Sequence, residues 1–299
     1  MPSKLSGVLT ALATPFAPDG EIDEKTLRRL VDRSIDGGVD GVVACGSTGE
    51  FAAMSAAERR NVVETVIEQT AGRVPVVAQT GALSTREAVE LSRHAQAAGA
   101  SVLMVVTPYY EPLTLEETLR YLRTVADAVD LPVMLYNLPG ATGLNLSPET
   151  VGRLARDVEN IRYIKDTSAD MAQAGQLIHR HGDVISTFIG WDSLLLQAVA
   201  EGAAGVMAGT ANVMPAQLVS VHRALRAGEL ERARAEWARI YPLMDAIMSA
   251  PFIPAVKAAL DAAGFPVGSP REPLLGLDDA TSARISALVQ ALPQLSAAR

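Results

Sequence analysis

Cysteine is almost missing from this chain, with Cys45 the single one in 299 residues. One thiol cannot close an intrachain disulfide, and it excludes any metal site built on a cysteine cluster. Positive charge is also scarce. Lys and Arg number 26 against 34 Asp and Glu, a formal charge of −8, which argues against nucleic acid or an anionic membrane surface as the main partner. No apolar run approaches the roughly 20 residues that a membrane helix needs. The amino-terminal MPSKLSGVLTALATPF is interrupted by Pro15 and polar residues and lacks the layout of a secretory leader. A cytoplasmic protein is therefore expected. The dinucleotide fingerprint G-x-G-x-x-G and the Walker pattern are both absent, which removes the usual reasons for an open nucleotide-binding sheet. His94, His179, His181 and His222 show no zinc or iron spacing and read as helix-surface residues. No metal and no other cofactor is expected.

What the chain does have is apolar content and a repeating pattern. At 48% hydrophobic it can bury a large core. Short, nearly continuous apolar runs occur at 8–12, 41–45, 75–79, 101–106, 132–137, 161–165, 184–189 and 204–209. Strands of a parallel sheet buried on both faces read this way. Between them lie amphipathic stretches at 24–36, 55–69, 84–97, 114–128, 147–157, 170–180, 192–201 and 215–227. Three of these open with a Ser or Thr followed three residues later by Glu (Ser55 and Glu58, Ser84 and Glu87, Thr114 and Glu117), the pattern of a capping box. Ser147-Pro148 opens another as a cap followed by proline in the first turn. Eight strand–helix units over residues 1–227 predict a (β/α)8 TIM barrel. From 228 to 299 the strand runs stop, and helical patterns at 229–248, 254–264 and 278–292 predict a helical C-terminal region packed on the barrel.

In such a barrel, chemistry sits at the C-terminal ends of the strands. The second strand ends in Gly46-Ser47-Thr48-Gly49-Glu50, where a glycine-bracketed turn can converge amides and hydroxyls on a small carboxylate or phosphate, or simply form a polar turn. The fourth ends in Thr107-Pro108-Tyr109-Tyr110, whose phenols suit packing or an interface. The fifth ends in Tyr136, a phenol placed to relay a proton or to pack, followed by the rigid loop Asn137 to Gly143. The sixth ends in Lys165. A lysine closing an apolar strand must snorkel, pair with Asp166, or lie inside the barrel mouth. Desolvation disfavours an ammonium, and a neutral amine condenses with a ketone to an imine, an electron sink that permits carbon–carbon cleavage without a metal. Cys45, in a buried strand with no histidine beside it, reads as core packing.

Together, Gly46-Ser47-Thr48-Gly49-Glu50, Thr107-Pro108-Tyr109-Tyr110, Tyr136-Asn137-x-Pro-x-x-Thr142-Gly143, Lys165 and the 202–215 segment resemble the dihydrodipicolinate synthase / N-acetylneuraminate lyase family. The resemblance implies an imine between pyruvate and Lys165, with Tyr136 as general acid/base. It implies that Ser47 and Thr48 hold the 2-oxo acid carboxylate, and that the backbone at Met207 lies beside the pyruvate moiety. Tyr110 matches a phenol that crosses a subunit interface to complete a relay with Ser47 and Tyr136, in a homotetramer built as a dimer of dimers. One position departs. Ala141 stands where the synthases carry an arginine for the carboxylate of their aldehyde. Thr167, Gly190 and Asp192 resemble hydroxyl-binding positions of the sugar-acid lyases, although Asp192 is also placed to cap the helix that follows. The implied activity is aldol cleavage or condensation, or dehydration of a 2-oxo-3-deoxy sugar acid. Partners are then pyruvate and an aldehyde or sugar acid. The alternatives are 4-hydroxy-tetrahydrodipicolinate synthase and a non-catalytic 2-oxo acid sensor.

Overall fold

In the computed structural model, which describes residues 5–292, eight parallel strands close on themselves in chain order. They are β1 (Gly7–Ala11), β2 (Gly41–Ala44), β3 (Val76–Gln79), β4 (Val102–Val106), β5 (Val133–Asn137), β6 (Ile161–Asp166), β7 (Ser186–Ile189) and β8 (Gly205–Ala208). Closure is made by β8 on β1, where Leu9 registers with Met207 and Thr10 with Ala208. The predicted (β/α)8 barrel is therefore the observed one. Every strand residue is buried except Arg162. Burial on both faces explains why the strands read as unbroken apolar runs.

The helices are α1 (Glu24–Asp36), α2 (Ala56–Thr70), α3 (Thr85–Ala98), α4 (Leu115–Asp127), α5 (Pro139–Thr142), α6 (Pro148–Asp157), α7 (Met171–His181), α8 (Leu195–Glu201), α9 (Pro215–Arg226), α10 (Leu230–Met248), α11 (Phe252–Ala262) and α12 (Asp279–Gln290). Their starts follow from side-chain chemistry. Ser55 and Thr114 form reciprocal capping boxes with Glu58 and Glu117. Ser84 accepts from the Glu87 amide, but the return contact is absent, so the third predicted box is half made. Each such cap is worth about 1 kcal/mol. The short α5 was expected to be loop. Its Pro139 presets the first helical φ, and Gly143 ends it in the left-handed region.

The helices α10, α11 and α12 pack on the barrel through α9 and through one another, and the main apolar cluster runs through both parts. Trp237, Met244 and Val256 belong to the same cluster as Leu9 and Val206. The last seven residues of the predicted 228–299 region, and the first four of the amino-terminal stretch, lie outside the described residues. The histidines need correction. His94 and His179 are surface residues paired with Glu64 and Glu201. His222 lies on the buried face of α9 instead, and its burial pushes the imidazole pKa down. His181 lays its ring against Gly152. An amphipathic helix has two faces, and a polar residue type does not by itself say which face it takes.

Candidate active site

An irregularity in the sheet brings Tyr136 and Lys165 together. At the start of β5 and β6, Val133 registers with Ile161, but the next residue, Met134, registers with Tyr163. Arg162 is the extra residue, and its side chain is exposed. This bulge advances β6 by one position, so Tyr136 pairs with Lys165 and Asn137 with Asp166. Without it Tyr136 would face Ile164. Lys165 Nζ lies 4.2 Å from the centre of the Tyr136 ring, and both side chains are buried.

Across the mouth, the β2 loop brings Ser47 Oγ to 3.2 Å from the Tyr136 hydroxyl. The loop is a tight turn, with the Gly49 amide donating to the Gly46 carbonyl and the Glu50 amide to that of Ser47. Ser47, Thr48, Tyr136, Lys165, Thr167, Gly190, Asp192 and Met207 all line one cavity of about 280 Å³. Eight of the nine residues singled out from the sequence thus meet at one place. Gly190 has a steric reason to be glycine. A Cβ there would sit 2.5 Å from Lys165 Cε and 2.1 Å from Thr167 Oγ1, displacing the amine's stem. The Thr167 hydroxyl is buried at this wall with no hydrogen-bond partner.

Each of the two acidic neighbours of the amine had alternatives open in the sequence, and the structure removes one for each. Asp166 does not pair with Lys165. It faces the helix side of the sheet, where Asn137 Nδ2 (2.8 Å), Gln173 Nε2 (3.1 Å) and the Ser168 hydroxyl donate to it. Burial pushes its pKa up, against the pull of those donors. Asp192 does not cap the following helix. Its Oδ2 accepts from both the amide and the hydroxyl of Thr210, each at 2.7 Å. Burial raises its pKa, opposed by the Thr210 contacts and by the Lys165 charge. Half of its carboxylate is thereby occupied by the protein itself.

Tyr110 is the ninth residue, and a single chain does not bring it to the site. Its side chain is 78% exposed on the loop after β4. Its neighbour Tyr109 packs edge-on against Phe51, with ring centres 5.9 Å apart. Cys45 is core, as predicted, and burial pushes its thiol up to about 12. A second cavity of about 530 Å³ adjoins the first, sharing Ser47, Leu138 and Ile253, and Ala141 lies on its wall. Among the described residues lining the two cavities, the cations are Lys165 and Arg271. Arg271 is committed to Glu58 and to the carbonyls of Gly20 and Ala53.

Several lining residues were not legible in the sequence. Met248, Phe252 and Ile253 come from the C-terminal helices, and α11 begins at Phe252 rather than at Pro254. The signal was the proline-flanked apolar run 251–254, which reads equally well as packing. Among the described residues no group of three or more His, Cys, Asp or Glu is placed to hold a metal ion, and no helix is long and apolar enough to cross a membrane.

A buried amine at the tip of the sixth barrel strand, faced by a phenol, belongs to the class I lyases, which work through a lysine imine. The model of the dihydrodipicolinate synthetase family matches residues 4–292. The 4-hydroxy-tetrahydrodipicolinate synthase of Pelobacter propionicus is 41% identical, with 95% of this chain and 97% of its own length aligned. That of Sorangium cellulosum is 41% identical, with 99% and 97% aligned. The structure of YagE, a prophage protein of the dihydrodipicolinic acid synthase family from E. coli K12 in complex with pyruvate, superimposes with a TM-score of 0.92. It is 34% identical and aligned over 98% of this chain and 99% of its own. The chain belongs to the dihydrodipicolinate synthetase family.

Proposed function

We propose that the protein is a pyruvate-dependent lyase in which Lys165 carries the imine. Its amine adds to the 2-oxo carbon, the carbonyl oxygen leaves as water, and the protonated imine accepts the electron pair when the bond between its α- and β-carbons breaks. The β-hydroxyl gives up its proton as the aldehyde forms, and the resulting enamine takes up a proton and is hydrolysed to pyruvate and the free amine. Tyr136 moves the protons of these steps, with Ser47 as its neighbour in the relay. Ser47, Thr48 and their amides hold the carboxylate, and the Met207 backbone flanks the pyruvate moiety. Thr167, Gly190 and Asp192 face the other half of the substrate. Tyr110 of a second copy completes the relay in a homotetramer built as a dimer of dimers, in the cytoplasm. The observation that carries this reading is the alignment of Lys165, Tyr136 and Ser47, at 4.2 and 3.2 Å, in one cavity.

For the second half of the substrate we favour an uncharged hydroxyaldehyde, released from or joined to pyruvate as a 2-oxo-3-deoxy sugar acid. A carboxylate there would lack a free cationic fork, because Ala141 has no charge and Arg271 is already engaged. That loss is worth about 1.5–3 kcal/mol. A second reading, 4-hydroxy-tetrahydrodipicolinate synthase, is favoured by the names of the relatives at 41% identity. Borohydride reduction in the presence of pyruvate, followed by peptide mass mapping, tests the imine. An adduct on the Lys165 peptide is expected, and its absence sinks the proposal. Rates on pyruvate with aspartate semialdehyde, set against cleavage and dehydration of 2-oxo-3-deoxy sugar acids, then decide between the two substrates. Faster condensation with the semialdehyde would make the second reading the right one.

A further inference from the structure

The barrel does not hold the Gly46–Glu50 loop alone. Thr14 fastens one flank, its hydroxyl donating to the Gly49 carbonyl at 2.7 Å. The other flank is fastened by the C-terminal region. Glu50 has a φ of +60°, a conformation uncommon for a residue with a side chain. Its carboxylate Oε1 lies 2.6 Å from Lys257 Nζ of α11, and both side chains are almost wholly buried, at 1% and 3% exposure. Its Oε2 accepts from the Arg271 backbone amide at 2.8 Å. The contact with Lys257 is an ion pair without good hydrogen-bond direction. The directed bond of Lys257 runs to the Ser269 carbonyl at 3.0 Å.

The Phe16 ring has Lys257 Nζ and the Arg271 guanidinium each 4.5 Å from its centre. Gly268 allows the strap carrying Ser269 and Arg271 to lie this close. Its φ is +74°, and a Cβ would fall 2.0 Å from the Phe16 carbonyl oxygen. Arg271 also reaches Glu58 and the carbonyls of Gly20 and Ala53. Four separate stretches of chain therefore converge directly behind Ser47 and Thr48.

A buried ion pair seldom adds net stability over an apolar pair of the same shape. What it does impose is one geometry, because neither charge tolerates losing its partner in a dry site. Here that geometry is the placement of Ser47 Oγ beside Tyr136 and of the turn that presents the loop amides. We infer that Glu50, Lys257 and Arg271 are positioning residues, through which the C-terminal region sets the Ser47–Thr48 loop for the carboxylate of the 2-oxo acid. This assignment rests on the reading of Lys165 as the imine-forming residue.

The test is the pyruvate dependence of borohydride trapping at Lys165, measured with the thermal melt on the full-length chain. In Lys257→Met the pyruvate concentration for half-maximal trapping is expected to rise by about tenfold or more, with trapping at saturation retained, since the amine is untouched while the carboxylate site is displaced. Lys257→Met strands a buried carboxylate, so the double variant Glu50→Gln with Lys257→Met is the companion. It removes both charges, is expected to fold more readily, and should still show the raised half-saturation. An unchanged half-saturation in that folded double variant, with only the melting temperature altered, would overturn the assignment and leave the cluster a purely structural one. A parent protein that traps no pyruvate would overturn the reading of Lys165, and this assignment with it.

Discussion

The two ends of the barrel use the same residue types to opposite ends. At the base, Tyr163 is held at both its hydroxyl and its ring. Its hydroxyl accepts from the Leu5 amide at 3.2 Å, and its ring packs against Phe188. Asn160 donates to the carbonyls of Ala126 and Val129, and Asp40 accepts from the Val8 amide. Every one of these polar groups ties one piece of backbone to another. At the mouth, Tyr136 has a single hydroxyl neighbour, Ser47, and an amine over its ring. Thr167 keeps a buried hydroxyl with no partner. Polar groups left incompletely paired in a dry cavity cost stability, and that cost is tolerated where a ligand can complete them. Tyr163, Asn160 and Asp40 are paired without substrate, whereas Thr167 at the mouth is not, although a buried hydroxyl without a partner also stands beside Tyr163, at Ser186.

Substitutions at the two ends should therefore separate activity from stability. The largest effect is expected at Lys165. Lys165→Ala should lower kcat/KM by about 10³-fold or more, because the covalent route is gone. Its melting temperature should hold or rise, because a buried amine has been removed. Loss of folding in this variant would break the comparison. Next comes Tyr136→Phe, which should cost about 10²–10⁴-fold in kcat for want of a proton carrier, with chemical unfolding nearly unchanged.

The matched change at the base, Tyr163→Phe, should do the reverse. It leaves the buried Leu5 amide without its acceptor, for a loss of about 1–3 kcal/mol in urea unfolding. Turnover per folded site should match the parent, and a fall in kcat would show that the base also shapes the mouth. The smallest effect concerns pH. The Arg271 hydrogen bond, foremost among its contacts, holds the Glu58 carboxyl at about 2, below its ordinary 4.5. The folded value lies below the unfolded one, so this contribution is complete above pH 4.5 and disappears as the pH falls from 4.5 towards 2. Melts across that window should show Glu58→Gln with a flatter acid limb than the parent.

Much of this was legible in the residues. The eight strands stood out because burial on both faces demands apolar runs. The Ser55 and Thr114 caps were readable because a capping box is a local device. The residues at the ends of β2, β5 and β6 could be assigned to one mouth because a barrel puts all its strand ends on one side. Other features were hidden for the opposite reason. The bulge at Arg162 leaves no local mark, yet it decides that Tyr136 and not Asn137 meets Lys165. The partners of Glu50 lie about two hundred residues further along the chain. Asp192 looked equally fit for capping and for hydroxyl binding; it lines the cavity and does not cap, and Thr210, arriving from another loop, takes one of its oxygens.

Sequence alone determined the periodicity, the barrel and the set of side chains able to do imine chemistry, since each depends on neighbours a few residues apart. Tertiary structure alone decided which of those side chains touch, and from which direction the Gly46–Glu50 loop is braced. Register and long-range ion pairs arise only when distant segments are packed against one another.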